Sequence, residues 1–133
     1  MIIETNHRII NPSQKEVYNF LMDMNNFKQL FPQDKISDWE ATDEICSMKV
    51  KSMGTLGLKR VASKANTLIY LDSHGKVPFK FTLNIFISET ENNKSQVYLV
   101  FDGAVNPFMK MMVEKPLIDF FNGLVKKLEE NYI

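Results

Sequence analysis

From Ile36 to Ala104 this chain alternates apolar and polar residues almost one for one, and after Pro107 the apolar residues return at every third or fourth position instead. The first period is that of strands half buried in a sheet, and the second that of a helix with one apolar side. The alternation predicts strands over residues 36–42, 45–52, 56–65, 67–73, 79–88 and 96–104. Cys46, Met48 and Val50 oppose Ser47, Lys49 and Lys51, and Ile69 and Leu71 oppose Leu68, Tyr70 and Asp72. Phe79, Phe81, Leu83, Ile85 and Ile87 oppose Lys80, Thr82, Asn84 and Phe86, and Val97, Leu99 and Phe101 oppose Tyr98, Val100 and Asp102. Met53-Gly54-Thr55, Asn66, Ser73-His74-Gly75-Lys76 and the polar stretch Glu89–Lys94 separate these runs as turns. Gly57 predicts a distortion in its strand.

The closing helix is announced by Asn106 as N-cap and Pro107 at its first position. Val113, Leu117, Phe120, Phe121, Leu124 and Leu128 form its apolar face, and Pro116 predicts a kink, because its ring removes an N–H and crowds the preceding turn. At the other end of the chain, residues 2–9 read as an opening strand, ended by Asn11-Pro12-Ser13. Ser13 and Glu16 make a capping box for a short helix with Val17, Phe20, Leu21 and Met24 on one side. Asn25-Asn26 breaks it, and Phe27, Leu30 and Phe31 form a second short helical turn stopped by Pro32.

Consecutive strands with short loops form an antiparallel meander, which has one face to bury, and the long helix is the main element able to cover it. The expected fold class is therefore α+β: a curved antiparallel sheet of about seven strands around a long C-terminal helix, with two short helices after the first strand. At 133 residues the chain has the length of one domain, 1–133, and its 44% hydrophobic residues suffice for a core.

Composition excludes several function classes. Lys plus Arg and Asp plus Glu each number 16, so there is no excess of basic charge for nucleic acid. The single cysteine, Cys46, cannot form an internal disulfide, and a reduced cysteine fits a cytoplasmic protein. Residues 1–8 lack the pattern of a signal peptide, and no apolar run has the length of a membrane span, so the chain is not expected to be membrane-integral. His7 and His74 have no Cys or His partner in ligand spacing, so no metal or other cofactor is expected. His74 reads as a solvated turn residue and His7 as a strand-edge one. No serine–histidine–acid set follows from spacing.

The opening strand, Asn11-Pro12-Ser13 followed by Val17-Tyr18-Asn19-Phe20-Leu21, the Phe27–Pro32 turn and the helix led by Asn106-Pro107 resemble the SRPBCC superfamily. This is the helix-grip group of START-like and birch-pollen-allergen-like lipid-binding proteins and polyketide cyclases. The resemblance spans the chain and implies a cavity between sheet and C-terminal helix. It implies no single activity, because members include lipid carriers, cyclases, dehydratases and protein-stability modulators.

Within that frame the expected ligand-binding residues are Phe79, Phe81 and Phe101 on strands and Phe108, Met112 and Leu117 on the helix. The strand residues share a face, and the front of the helix lies over it. Met109, Met111 and Met112 are adaptable apolar side chains, although three methionines in four helical positions cannot all face inward. The opposite strand phase, with Tyr98 and Asp102 on one face, is either the solvent face or a source of polar groups for the cavity. Asp102 beside Gly103 is where a bulge would aim a carboxylate inward with a raised pKa. Three functions compete on these grounds. The first is binding of an apolar or amphipathic small molecule or lipid; the second is cyclase- or dehydratase-type catalysis on a cavity-bound substrate. The third is recognition of a protein partner through the outer sheet face, with Trp39 and Tyr98 as its features.

Overall fold

A computed structural model describes residues 1–132. The sheet is antiparallel throughout and has eight strands: β1 (Ile2–Glu4), β2 (Arg8–Ile10), β3 (Ile36–Ala41), β4 (Ile45–Val50), β5 (Gly54–Lys64), β6 (Leu68–Ser73), β7 (Phe81–Thr90) and β8 (Lys94–Gly103). Their spatial order is β1-β8-β7-β6-β5-β4-β3, with β2 also beside β8. The extra strand relative to the expected seven arises from a break in the opening one. Thr5 is buried there, donating its N–H to the Leu99 carbonyl at 2.9 Å and accepting the Leu99 N–H on its hydroxyl at 2.9 Å. A side chain has taken over one rung of the ladder, so β1 and β2 pair with β8 on either side of it.

Both expected caps form. Ser13 Oγ accepts from Glu16 N at the start of α1 (Gln14–Met22), and Asn106 Oδ1 accepts from Met109 N at 2.8 Å at the start of α2 (Pro107–Asn131). A 3-10 helix, Met24–Leu30, follows α1 and buries Met24, Phe27 and Leu30. Arg60 closes the end of α1 by donating to the carbonyls of Met22 and Asp43.

The inward face of the sheet is the phase containing Cys46, Met48, Val50, Leu58, Ile69, Leu71, Leu83, Ile85, Val97, Leu99 and Phe101, all buried, and α2 covers it with Leu117, Phe120, Phe121, Leu124, Val125 and Leu128. The two halves of α2 are held differently. Asn122 Oδ1 accepts from Asn6 N at 2.8 Å, Arg8 Nη1 donates to Glu129 Oε2 at 2.6 Å, Asn11 Nδ2 donates to the Tyr132 carbonyl and Asn131 Nδ2 to Gln29 Oε1. Among the described residues, every side-chain hydrogen bond between α2 or its C-cap and a distant part of the chain falls at or after Asn122. The first buried residue of the helix is Leu117, one position after Pro116.

Cys46 is fully buried, as free cysteines commonly are, and more so than the half-buried place its strand position suggests. Burial pushes its thiol from the ordinary 9.0 up to about 12, opposed only in part by a backbone hydrogen bond at Leu58. Above about pH 9 the unfolded chain loses this proton while the folded chain retains it. Stability is therefore expected to fall as pH rises through that window, by up to about 1.4 kcal/mol per pH unit for this one group. Cys46→Ala should flatten that part of a urea-melt pH series, and native protein at pH 8 should leave a thiol reagent unconsumed until denaturant is added. Rapid native-state labelling would contradict the buried assignment.

Candidate functional site

Phe81 and Phe101 face inward from neighbouring strands with ring centroids 5.2 Å apart, and Phe101 meets Phe121 of α2 at 5.2 Å. Phe79 closes the group edge-on, 6.1 Å from Phe81 and 6.2 Å from Phe101. Phe79 is not a strand residue, contrary to the expectation: the β6–β7 ladder ends at Asp72 and Thr82, and β7 begins at Phe81. Residues 74–80 instead form a loop seated on β5, where His74 N donates to the Gly57 carbonyl at 2.9 Å. A Cβ on Gly57 would stand 2.0 Å from the His74 carbonyl oxygen, so glycine is what allows the loop this close. Gly57 does not distort β5: its pairing with β4 runs in continuous register from Gly54 to Lys59.

The aromatic rings nearly fill the space between sheet and helix. Beside them lies an apolar void of about 20 Å³ bounded by Val50, Met53, Leu56, Pro78, Phe79, Phe81 and Leu117, with Gly54 and Thr55. That is space for no more than about one water, and walls of this kind keep it dry. Of the expected binding residues, Phe79, Phe81 and Leu117 meet at this void, and Phe101 stands against Phe79 and Phe81. Phe108 and Met112 are elsewhere, 73% and 64% exposed, on a helix front that also carries Met111 at 87%. With a turn of 3.6 residues, Met112 and Leu117 point about 140° apart around the helix axis, so both cannot face the sheet.

One lip of the void is the turn between β4 and β5. Ser52 at φ 69° and Gly54 at φ +90° flank Met53, a tight reversal closed by Met53 N donating to the Val50 carbonyl. A serine at positive φ is a local strain, held in place by the strands on both sides. Met53 and Val50 have void on one side and, on the other, an open cleft of about 480 Å³. Asp34, Lys35, Lys51, Ser52, Lys115, Pro116, Asp119 and Phe120 complete that cleft. Its volume is within the range of small-molecule sites.

The architecture recurs among solved structures. Truncated norcoclaurine synthase from Thalictrum flavum superposes with a TM-score of 0.77 at 13% identity, over 98% of this chain and 92% of that one. A START superfamily protein from Mycobacterium smegmatis gives 0.71 at 13% identity, over 98% and 96% of the two chains. The protein XoxI from Bacillus cereus gives 0.70 at 16% identity, over 98% and 94%. The chain has the START-like helix-grip fold. No protein-family model and no curated protein matches the sequence, and at these identities the likeness is one of architecture.

On this helix-grip frame the polar candidates lie outside the grip. Asp102 is exposed on the outer face, and β8 pairs with β7 in unbroken register through Gly103, so no bulge turns the carboxylate inward. His7 is also on the outer face, stacked flat on Tyr98 at 3.9 Å, with Phe86 on the other side of Tyr98 at 4.9 Å. Its Nε2 is 2.8 Å from Glu4 Oε2 and its Nδ1 3.2 Å from Gln96 Nε2. Trp39, a candidate outer-face residue, is half buried instead and packs toward Phe31 at 6.2 Å. Met53 and the lysines of the cleft are not among the binding residues expected from the sequence. The available signal was a methionine between Ser52 and Gly54, where a solvent-exposed turn favours a polar residue.

Proposed function

We propose that residues 1–133 act as one helix-grip binding domain for an apolar or amphipathic small molecule or lipid, held between the sheet and the front half of α2. The observation that carries this reading is the void walled by Phe79, Phe81 and Leu117, which shares Met53 and Val50 as lining with an open cleft. Pro116 leaves the Met112 carbonyl without its helical partner, and the helix before it lacks the fastenings of the second half. Displacement of Met53 together with that front segment enlarges the void without unpacking Phe120, Leu124 and Leu128. In this account Phe79, Phe81, Phe101 and Leu117 contact the bound molecule, and Phe108 and Met112 meet it at the entrance. Norcoclaurine synthase, a structural neighbour, has been captured with dopamine and hydroxybenzaldehyde, so this architecture accommodates small aromatic molecules. The buried thiol fits a reducing compartment, and we assign the protein to the cytoplasm.

Leu117→Phe tests the reading, because the larger side chain occupies the void from its own wall. We expect it to weaken binding of an environment-sensitive apolar dye at least about tenfold while changing stability by less than about 1.5 kcal/mol. Native mass spectrometry of the purified wild type is expected to show a co-purified small molecule. Equal dye binding by both proteins, or no dye and no co-purified molecule with the wild type, would remove the basis for this function.

A further inference from the structure

The cleft beside the void continues along α2. A second groove of about 240 Å³ shares Lys35, Asp119 and Phe120 with it and runs on past Gly123 to Lys127, and a third hollow adds Lys28. Five lysines, Lys28, Lys35, Lys51, Lys115 and Lys127, face this channel against two carboxylates, Asp34 and Asp119. A chain with no net charge therefore concentrates cations along one seam. Among the described residues none of the five lysines lies in an ion pair; those that form are Arg8–Glu129, Lys49–Asp38 and Lys110–Glu114. Backbone contacts fix part of the set: Lys51 N donates to the Lys35 carbonyl at 2.9 Å, setting those two side by side just beyond the paired ends of β3 and β4. Gly123 adds a further sign. It sits inside a helix, where alanine would be the more stable residue, and a Cβ there would meet nothing within 4 Å. The seam is left open although a methyl group would fit.

We propose that the ligand is an anionic amphiphile, with a carboxylate or phosphate head held by Lys35, Lys51 and Lys115 and an apolar tail passing Met53 toward Phe79, Phe81 and Leu117. This rests on the binding function proposed above and adds the chemical class and its polarity. The arrangement follows from the shared wall. Val50 and Met53 border both spaces, so a molecule crossing between them has one end in the cleft, where Lys35, Lys51 and Lys115 outnumber Asp34 and Asp119, and the other among phenylalanines. The exposed lysines keep the head in contact with water, which avoids stripping a charge of its solvent.

Isothermal titration of the full chain with dodecanoate, dodecyl phosphate, dodecanol and dodecylammonium, each below its micelle threshold, separates head from tail. At least one anion is expected to bind about tenfold or more tightly than dodecanol, with the ammonium weakest. The anion with the larger advantage identifies the headgroup. In the triple variant Lys35→Gln/Lys51→Gln/Lys115→Gln that advantage should disappear while dodecanol affinity stays unchanged, which also shows the variant is folded. Lys64→Gln, at the far end of β5, should leave every affinity as it was. Equal affinity for anions and dodecanol, or an anion advantage that survives the triple variant, overturns the headgroup assignment and leaves the binding function standing. Failure of all four to bind the wild type overturns both.

Discussion

Truncating Phe120 or Leu124 to alanine is expected to destabilise the protein by about 2–5 kcal/mol, whereas Lys127→Ala should change stability by less than about 0.5 kcal/mol. Both apolar residues lie on the stripe of α2 that faces the sheet, almost wholly buried. Phe120 stacks on Phe31 with centroids 5.0 Å apart and meets Phe121 edge-on at 5.5 Å, so its removal unsupports two other rings as well as leaving a cavity. Leu124 has no such partners but is completely enclosed, and its loss is mainly that of transfer and cavity terms. Lys127 stands on the exposed side. Urea melts at constant pH measure all three. Comparable midpoints for Lys127→Ala and the two core variants would mean that α2 is rotated from the orientation described.

Gly57→Ala should lower stability by about 1–3 kcal/mol, more than its single added methyl would suggest. The new Cβ would fall 2.0 Å from the His74 carbonyl oxygen, and that oxygen belongs to a backbone with little freedom to yield. His74 N is bonded to Gly57 itself, Phe81 N to Ser73 Oγ at 3.2 Å and Ala104 N to the Lys80 carbonyl at 2.9 Å, so the loop is tied at both ends. Relief requires the loop to lift, and Pro78 and Phe79, which wall the void, move with it. The variant should therefore differ from wild type both in denaturation midpoint and in binding of an apolar dye. Gly75→Ala offers a contrast: it sits at φ +76° with open space around it, so its penalty is backbone strain without a collision. Wild-type stability in Gly57→Ala would show that the loop is not seated on this glycine.

The strand phases were readable from sequence because period-two alternation is a direct record of which side meets the core. The apolar inward residues of β4, β6, β7 and β8 fall where the alternation put them, while Ser95, buried at the start of β8, lies before the strand expected from residue 96. Alternation says nothing about how far apart the facing surfaces stand. The expected cavity is largely occupied because Phe81, Phe101 and Phe121 meet ring to ring, a contact between elements distant in sequence. Phe79 fitted the alternation of β7 by position alone. Pro78, which has no N–H for a ladder, was the cue that the strand starts later. Phe108 and Met112 illustrate a different obscurity. They are four apart and share a side of α2, yet that side is not the one carrying Leu117, Leu124 and Leu128. A helix apolar on two sides over its first turns has no single stripe to read. The lysine seam was invisible for the opposite reason: Lys28, Lys35, Lys51, Lys115 and Lys127 are scattered over 100 positions, and only the tertiary fold collects them.

The break at Thr5 has a consequence for how quickly the molecule can form. The strands on either side of it pair with β8, and the Thr5–Leu99 bond spans 94 residues. Asn6 in the break and Arg8 at the start of β2 also hold α2, through Asn6–Asn122 across 116 residues and Arg8–Glu129 across 121. One short stretch near the start thus joins β8 and the long helix, and none of the three bonds forms until nearly the whole intervening chain has been drawn together. Closing loops of this size is entropically unfavourable before the contacts that reward it exist. The meander β3–β8 can assemble from neighbouring hairpins, but its inner face stays wet until the ends of the chain arrive. Refolding should accordingly fall in the roughly millisecond-to-second range of chains dominated by distant pairings, rather than the microseconds open to helical bundles.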